Sequence, residues 1–360
     1  MTFFNRFLMA GLCLHLSAVA YAAPPPSAKA VAKAAPLSDA ERYARRCQPR
    51  SPTRERNPQG TMLWGSRRDW DTEKVAPETR SVLVSVALSP VKPGDTAVKS
   101  LQLKGGSLEA SPAGAKVTGL VLQGRSSEGK PVEVAICESE PAPQSPEMMW
   151  YRIEAWNPVA QEWENPCVAV DRVPSPRVLA VSGVWDLTGA RKDSAEHFTF
   201  ACENGAIAKC IDWGYKPWES RGGKPLTDVH QACTRMARAD YCGNGRSHTY
   251  QDNSIDMYDP FGVLKRTPES AADWDPALSF EAAWGPDGAI CLEHTRDGRA
   301  LETILAECPN RFRKGGAVEL GEGDRCSVQR TGGKPQTALL RNKSYGIPEG
   351  AAPPAKAPQR

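Results

Sequence analysis

The sequence predicts a mainly β (α+β) fold, a disulfide-bonded sheet sandwich or barrel with one prominent helix near residues 228–240. Apolar residues alternate with polar ones at intervals through residues 81–186, as in strands with one buried face. Prolines interrupt this region too often for long helices. Ten of the eleven cysteines follow residue 22 and no Cys-x-x-Cys motif occurs. Disulfides are therefore expected, rather than a zinc ribbon or a redox site.

Residues 1–22 have the three parts of a secretory signal peptide. Arg6 precedes a mostly apolar run from Phe7 to Val19, and Ala20-Tyr21-Ala22 provides the small residues at which signal peptidase cuts. The run is shorter than the about 20 residues that a permanent membrane helix needs. We therefore expect export to the periplasm or the extracellular medium, with no stable membrane span after cleavage. An uncleaved N-terminal anchor is the alternative.

The balance of charges bears on the class of partner. The formal net charge is only +3, which argues against a dedicated nucleic-acid-binding protein. A basic cluster near the N-terminus is interpreted as a solvated arm, with attraction to an anionic envelope surface as the alternative. Its members are Arg42, Arg45, Arg46, Arg50, Arg54 and Arg56.

Composition divides the chain into five parts. Stretches rich in Ala, Pro and basic residues near both ends cannot bury enough apolar surface to fold by themselves. The predicted parts are a signal peptide at 1–22, a Pro/Ala/Arg-rich linker at 23–56, a β-rich N-terminal region at 57–186, a cysteine-rich domain at 187–330 and a disordered tail at 331–360.

Individual strands can be placed within the β-rich region. Residues 82–88 alternate as a strand with one well-buried face, and 178–184 is a further apolar run. Two apolar runs, 120–123 and 132–137, flank the polar stretch 126–130, which predicts a β-hairpin.

A second hairpin is predicted at residues 198–211. Asn204-Gly205 is the commonest type of two-residue hairpin turn, and apolar residues flank it. In that register Cys202 and Cys210 lie roughly 10 Å apart along the ladder. A disulfide needs Cα atoms within about 7 Å, so these two cysteines should not bond to each other.

Residues 228–240 form the predicted helix, with Val229, Ala232 and Cys233 on one face at helical spacing. Cys242 would lie roughly 13 Å from Cys233 if the helix continued, again too far for a bond.

With both local pairs excluded, we expect Cys202 and Cys210 to bond Cys233 and Cys242, joining the helix to the hairpin. A bond between Cys137 and Cys167 is also expected.

The segment Ala239-Asp240-Tyr241-Cys242, preceded by His230-Gln231-Ala232-Cys233, resembles the ADYC domain of exported bacterial proteins. The resemblance is specific over residues 198–298 and looser upstream toward residue 60. It implies export and disulfides, and the family has no established activity. The flanking segments that agree include Phe200-Ala201-Cys202, Lys209-Cys210, Gly214-Tyr215-Lys216-Pro217-Trp218, Phe280-Glu281-Ala282 and Gly288-Ala289.

The best candidate binding site combines acids, a histidine and a tyrosine that follow the helix. Such side chains, on loops held by disulfides, can bind a ligand or transfer protons. The alternative is that Asp240 pairs locally with Arg235 or Arg238 while Tyr241 packs in the core. The candidate residues are Asp240, Tyr241, His248, Asp252, Asp256 and Asp259.

Other arrangements point to no catalytic residue. His230 precedes Cys233 by one helical turn, but a disulfide-bonded Cys233 would be inert as a nucleophile. Asp252-x-Ser254-x-Asp256 has the spacing of a calcium loop, yet Met257 stands where such a loop needs glycine. No catalytic residue, metal site or cofactor is therefore predicted.

The sequence favours a non-enzymatic module that binds a protein or a polysaccharide outside the cytoplasm. The rival hypothesis is a hydrolase that uses Asp240, His248 and Asp256. A cleft where carboxylates converge on His248 would favour the enzyme, and a flat aromatic-rich surface would favour the binding module. Five tryptophans are either core residues or sugar-stacking platforms, namely Trp150, Trp156, Trp163, Trp213 and Trp218.

Overall fold

In the computed structural model the chain folds around two largely antiparallel sheets, and the prediction of a mainly β, disulfide-bonded fold is confirmed. From Leu37 onward the chain forms one compact unit. The predicted signal peptide lies outside the described residues, and the predicted boundary between residues 186 and 187 stays a prediction. The structure describes residues 36–48, 60–66, 81–91, 98–249, 253–266 and 278–345.

The helices are short and the strands vary from two to thirteen residues. The helices are α1 (Asp39–Ala44), α2 (Ala206–Asp212), α3 (Thr227–Arg238) and α4 (Leu301–Glu307). The first sheet contains β1 (Met62–Leu63), β2 (Val82–Val91), β5 (Val121–Ser126), β6 (Pro131–Ala142), β7 (Ser145–Asn157), β8 (Glu162–Glu164), β9 (Val178–Ser182) and β12 (His197–Cys202). The second contains β15 (Ile255–Tyr258), β16 (Ser279–Gly285), β17 (Gly288–Leu292), β18 (Phe312–Gly321), β19 (Asp324–Arg330) and β20 (Leu340–Ser344). Three two-stranded ribbons are β3 (Ser100–Lys104) with β4 (Ser107–Ser111), β10 (Val184–Trp185) with β11 (Arg191–Lys192), and β13 (Ser220–Arg221) with β14 (Lys224–Pro225).

Six strands of the first sheet close into a barrel. Their order is β2-β12-β9-β7-β6-β5, and β5 pairs back with β2 to close the ring. β5 and β6 are antiparallel neighbours, which confirms the hairpin predicted at 120–123 and 132–137. Closure pairs each of the six strands on both sides, so the ring has no free edge strand.

The side chains that alternate inward along these strands fill the barrel. Val86, Ile136 and Phe200 are fully buried in one cluster. The β3–β4 ribbon adds Leu101 and Leu108 to the same cluster. Burying a large apolar side chain contributes roughly 1.5–3 kcal/mol, so the alternation seen in the sequence is the main determinant of this half of the fold.

The second sheet has the order β15-β20-β16-β17-β19-β18. α3 lies on one face of it, where Val229, Ala232 and Met236 share a cluster with Trp284 and Leu292 of the sheet. The helix predicted near 228–240 is confirmed, with the bounds Thr227–Arg238.

The hairpin predicted at 198–211 is wrong in its second half, because Ala206–Asp212 form the helix α2. The strand before it, β12, pairs with β9 along most of its length and with β2 at its start, and the chain after Gly205 turns into α2 instead of returning alongside β12. α2 instead buries Ile207 and Ile211 on the outer face of the barrel.

Five disulfides pair the ten cysteines of the described residues, and Cys210–Cys233, one of the expected bonds, joins α2 to α3. The other pairing expected between hairpin and helix is wrong, because it assumed the hairpin that α2 replaces. The expected Cys137–Cys167 bond is also wrong, because Cys137 bonds Cys47 of the N-terminal segment and Cys167 bonds Cys202. The end of β12 bonds the loop before β9, and Cys242 bonds the end of α4. The complete set is Cys47–Cys137, Cys167–Cys202, Cys210–Cys233, Cys242–Cys308 and Cys291–Cys326, with Cα atoms 5.0–5.9 Å apart.

Two segments expected to be unfolded belong in part to the fold. α1 lies in the predicted linker at 23–56, and β20 lies in the predicted tail at 331–360. β20 pairs with both β15 and β16. Arg42, expected to be a solvated member of the basic cluster, pairs with Glu133 and is only 16% exposed. Composition misleads here because the stability of both segments comes from distant partners.

Candidate functional site

Asp240 lies just beyond the end of α3 and is completely buried. Its Oδ2 atom accepts a hydrogen bond from Arg235 Nη1 at 2.6 Å and another from the Gly245 amide at 2.9 Å. Its Oδ1 atom accepts from the Asn244 amide at 3.1 Å. The carboxylate thus neutralises a buried arginine and organises the following loop, as the local alternative supposed.

The loop after Asp240 is pressed against the turn between β16 and β17. Gly243 has φ of +68°, and a Cβ atom there would lie 1.8 Å from the Asp287 carbonyl oxygen. No side chain fits at that distance, so the Asp240–Gly243 loop requires glycine for packing and for backbone conformation. The Ala289 amide donates to the Tyr241 carbonyl at 3.0 Å and fixes the approach.

Tyr241 is the centre of a buried polar network. Its hydroxyl donates to Glu281 Oε1 at 3.1 Å and accepts from the Arg296 amide at 2.7 Å. Its ring stacks on Trp284, with centroids 5.4 Å apart. Burial and the Glu281 charge raise the pKa of Tyr241 well above its usual value, so the hydroxyl keeps its proton and is no base.

Glu281 and Arg296 form an ion pair in the interior, and both are almost fully buried. Arg296 donates to both carboxylate oxygens at 2.9 Å, and Asn342 Nδ2 donates to Oε2 at 2.8 Å. Burial pushes the pKa of Glu281 up, but the Arg296 charge and hydrogen bonds outweigh it and hold the pKa below its usual value. Breaking such a pair costs roughly 3–5 kcal/mol because one charge is left buried.

Glu281, Arg296 and Asn342 were not among the site residues predicted from the sequence. A signal was present, since Glu281 is a single acid within the apolar strand Ser279–Gly285, and a buried acid needs a partner. The partners Arg296 and Asn342 lie 15 and 61 residues away, so only the fold identifies them.

His248 is also buried, and both of its ring nitrogens face acceptor oxygens. Nδ1 lies 3.0 Å from the Ala239 carbonyl oxygen and Nε2 lies 2.8 Å from Glu307 Oε2. Glu307 precedes Cys308, whose bond to Cys242 lies beside this contact. The pair therefore fastens α4 to the end of α3, and the carboxylate next to His248 is Glu307 rather than Asp240 or Asp256.

The remaining candidates are separate from this network. Asp259 accepts hydrogen bonds from the Tyr215 hydroxyl at 2.9 Å and from the amides of the turn that follows it. Asp256 lies in β15 and is 8% exposed. Asp252 lies outside the described residues. The structure thus brings Asp240, Tyr241 and His248 together as buried packing, without an opening to solvent at these side chains.

An open cleft of about 380 Å³ lies among the described residues, within the range of roughly 300–1,000 Å³ found for ligand pockets. The β13–β14 ribbon forms one wall and carries Arg221 and Lys224 at either side of a Gly-Gly turn. Phe261 lies opposite, with its ring centroid 5.8 Å from Lys224 Nζ. The remaining lining residues are Gly222, Pro260, Gln336, Thr337, Ala338 and Leu339.

The two cations of this cleft have no acidic partner among the described residues. Within the described part of the chain, neither Arg221 nor Lys224 forms an ion pair with a carboxylate, and both are exposed. An exposed guanidinium and ammonium beside an aromatic ring suit a ligand that is anionic and has an apolar face.

The tryptophans that the sequence offered as stacking platforms are mostly interior. Trp150 and Trp163 are 5% and 1% exposed, and Trp156, Trp213 and Trp218 are half-buried. Among the described residues the exposed large apolar side chains are Val159 and Leu187. Phe261 is thus the aromatic ring at the cleft.

One grouping of metal-ligand type occurs among the described residues. Atoms of Cys47, Cys137 and Glu154 lie within 4.8 Å of one another. The two sulfur atoms are bonded to each other, so this grouping serves as a disulfide in the structure. None of the described helices has the length and apolar character needed to cross a membrane.

Fold and site together define a disulfide-bonded, mainly β protein with a small cationic cleft. The family model of the ADYC domain matches residues 114–298, just over half of the chain. The chain belongs to the ADYC domain family. No curated protein and no solved structure matches it. The match begins before β5 and ends after the Arg296 loop, so it covers most of the barrel and includes Tyr241, Glu281 and Arg296, while Asn342 lies outside it.

Proposed function

We propose that this protein is an exported, non-enzymatic binding module whose ligand is an acidic polysaccharide, held in the cleft of Arg221, Lys224 and Phe261. The observation that carries the proposal is a pair of exposed cations, beside an aromatic ring, that pair with no carboxylate in the described part of the chain. Uronic acid units offer both matching features, because they have a carboxylate at one edge and an apolar face of C–H groups.

The surroundings of His248 favour a binding module over a hydrolase. The imidazole is 1% exposed and its nitrogens are occupied by Ala239 and Glu307. A hydrolase needs its acid and base within hydrogen-bond reach of a substrate. Neither His248 nor Glu307 lines the cleft.

Export is supported by the cysteine chemistry. Five disulfides persist only where the redox environment is oxidising. The periplasm or the extracellular medium meets that condition, and both bring a protein into contact with anionic polysaccharides of the cell envelope.

The test is a binding titration with polyuronate oligosaccharides, and neutral dextran serves as the comparison ligand. The Arg221→Gln/Lys224→Gln variant should lose affinity for polyuronate by about tenfold or more, the equivalent of 1.4 kcal/mol. Binding to the wild type should weaken as salt is added, because the attraction is between charges.

The matched control is Arg313→Gln/Arg325→Gln, which removes the same charge from exposed positions that do not line the cleft. This control should bind like the wild type. The proposal fails if the wild type does not bind polyuronate, or if both double variants lose affinity equally.

A further inference from the structure

The segment of residues 37–48, here called the arm, lies across the outside of the barrel. It covers the arm face, which is an apolar patch together with two acids beside it. The members of the arm face are Val121, Ala135, Trp156, Trp163, Glu133 and Glu154. The arm contains α1, and no residue of α1 is itself buried. The arm is thus an added layer on a barrel that is complete without it.

The arm is attached through a defined set of contacts along its length. At its start the Leu37 amide donates to Gln161 Oε1 at 3.0 Å. In its middle the Tyr43 hydroxyl donates to Glu133 Oε1 at 2.6 Å, and Trp163 Nε1 donates to the Arg42 carbonyl at 2.8 Å.

Arg42 has two further contacts with the barrel. Its guanidinium pairs with Glu133 and lies 5.4 Å from the ring centroid of Trp156. The arm face therefore recognises a guanidinium and a phenol held side by side on one turn of helix.

The arm is too short to be stable by itself, and eleven residues separate it from Gly60. A six-residue helix has no stability in isolation and depends on the surface it binds. Residues 49–59 connect the arm to Gly60, and eleven residues of any chain can extend over roughly 36–40 Å.

One covalent bond keeps the arm on its own barrel, and it is the most accessible disulfide of the protein. Cys47 and Cys137 are both half-buried, whereas the other eight disulfide cysteines are at most 8% exposed. Thiol–disulfide exchange requires access of the attacking thiolate to a sulfur atom. A dithiol reductant should therefore reach this bond first.

We propose that the arm face is an exchange surface for a second copy of this chain. A dithiol transfers two electrons and two protons to the Cys47–Cys137 bond, which yields two cysteine thiols and the oxidised, disulfide form of the reductant. The freed arm then leaves its own barrel and binds the arm face of another copy. The arm of that copy binds the arm face of the first in the same way. The result is a two-fold dimer with exchanged arms.

The occupant is a second copy because the surface is complementary to this arm in several independent ways. It provides Glu133 for Arg42 and Tyr43, a tryptophan ring for the guanidinium, and Glu154, whose Oε2 atom accepts from the Cys47 amide at 2.7 Å. Every copy of the chain carries the matching segment. Exchange retains all of these contacts, so only the connection between arm and barrel changes.

The experiment traps the exchanged state with two single variants. Cys47→Ser retains a free Cys137 on its barrel, and Cys137→Ser retains a free Cys47 on its arm. Neither variant can form the bond within one chain. Mixed and treated with glutathione disulfide as the oxidant, they should give a disulfide-linked heterodimer on a non-reducing gel, and its peptide map should contain a Cys47–Cys137 bond.

The control separates docking from random collision. Adding Arg42→Ala and Tyr43→Ala to the Cys137→Ser chain removes the anchors but keeps the thiol, and the yield of heterodimer should fall several-fold. Peptide maps of each variant must retain the other four bonds, which shows that the barrel and second sheet are folded.

A second measurement uses the natural chain. After mild treatment with a dithiol and alkylation of the freed cysteines, light scattering should show a dimer whose fraction rises with concentration. The proposal is overturned if no interchain Cys47–Cys137 peptide forms, if the anchor variant crosslinks as well as its parent, or if the selectively reduced protein stays monomeric.

Discussion

His230 shows how the fold fixes the charge of a single residue. The side chain is fully buried next to Trp185, and its Nε2 atom lies 3.2 Å from the Ile207 carbonyl oxygen. Within the described residues its Nδ1 atom has no hydrogen-bond partner. Burial first, and the Arg191 charge in addition, lower the pKa of His230 to about 4. The ring is therefore neutral in the folded protein at neutral pH.

This shift predicts a loss of stability in acid. An unfolded histidine has a pKa of about 6.5. Below that pH the unfolded chain therefore binds a proton at His230, whereas the folded chain stays neutral there until the pH approaches 4. The contribution of His230 to stability is complete above pH 6.5 and is lost as pH falls toward 4. Between pH 7 and pH 5 the free energy of unfolding should fall by roughly 2 kcal/mol from this residue.

The measurement is urea denaturation of the wild type and of His230→Gln at both pH values. Glutamine keeps an N–H donor for the Ile207 carbonyl oxygen but does not titrate. Between pH 7 and pH 5 the free energy of unfolding of the variant should fall by roughly 2 kcal/mol less than that of the wild type. Equal losses in the two proteins would show that His230 does not titrate between these pH values.

At the same scale, the residues of the ADYC motif could be chosen from the sequence, but their roles could not. Asp240 and Tyr241 stand out because they are polar and follow a helix. Asp240 pairs with Arg235, five residues before it, and this local alternative was visible in the spacing. The partners of Tyr241 come from β16 and from the loop after β17, and no local pattern predicts them.

Among the elements, α3 was predictable and α2 was not, for a physical reason. α3 runs for twelve residues, long enough for its apolar stripe to define a helical period. α2 has seven residues, five of them buried. A short apolar run fits a strand and a buried helix equally well, and the preceding Asn204-Gly205 favoured the hairpin.

The bond between these two helices should contribute substantially to stability. Cys210 and Cys233 are 23 residues apart, and closing a loop of that length contributes about 3 kcal/mol in the chain-entropy model. The Cys210→Ala/Cys233→Ala variant should therefore unfold at a lower urea concentration.

A peptide map of this variant should contain the other four disulfides. The change in the free energy of unfolding then comes from the loss of the Cys210–Cys233 bond alone. The matched comparison is Cys291→Ala/Cys326→Ala, a buried pair within the second sheet with a separation of 35 residues, which should lose a similar amount. A loss of less than about 1 kcal/mol at the helix pair alone would mean that α2 and α3 hold together without it.

For the whole molecule, the barrel followed from alternation in the sequence, whereas the cleft did not. The cleft is assembled from a ribbon at 220–225, a turn at 260–261 and a segment at 336–339. Each of these is too short to carry a pattern of its own, and only the packing of the fold brings them together. The last of them lies in the region whose composition predicted a tail.

The role of β20 predicts the effect of shortening the chain. A variant that ends at Thr337 loses the strand that pairs β15 with β16, and with it Asn342, which hydrogen-bonds both Glu281 and Trp284. Hydrogen exchange should become fast in β15 and β16, because their backbone groups lose their partners. A chain that ends at Tyr345 keeps the strand and should exchange like the full chain.

Slow exchange in the second sheet of the shorter variant would contradict this role for β20. Protection that persists in β9 and β12 would show that the barrel stays folded without β20.

The position of β20 also has a consequence for the order of events during synthesis. All six barrel strands precede residue 203, so the barrel can close while later parts of the chain are still emerging. The middle of the second sheet must wait for residues 340–344. Until they arrive, Glu281 lacks the hydrogen bond from Asn342, and β15 and β16 lack the strand that lies between them. Strand edges that stay unpaired are prone to aggregation, so this is the interval in which the growing chain is most exposed to it.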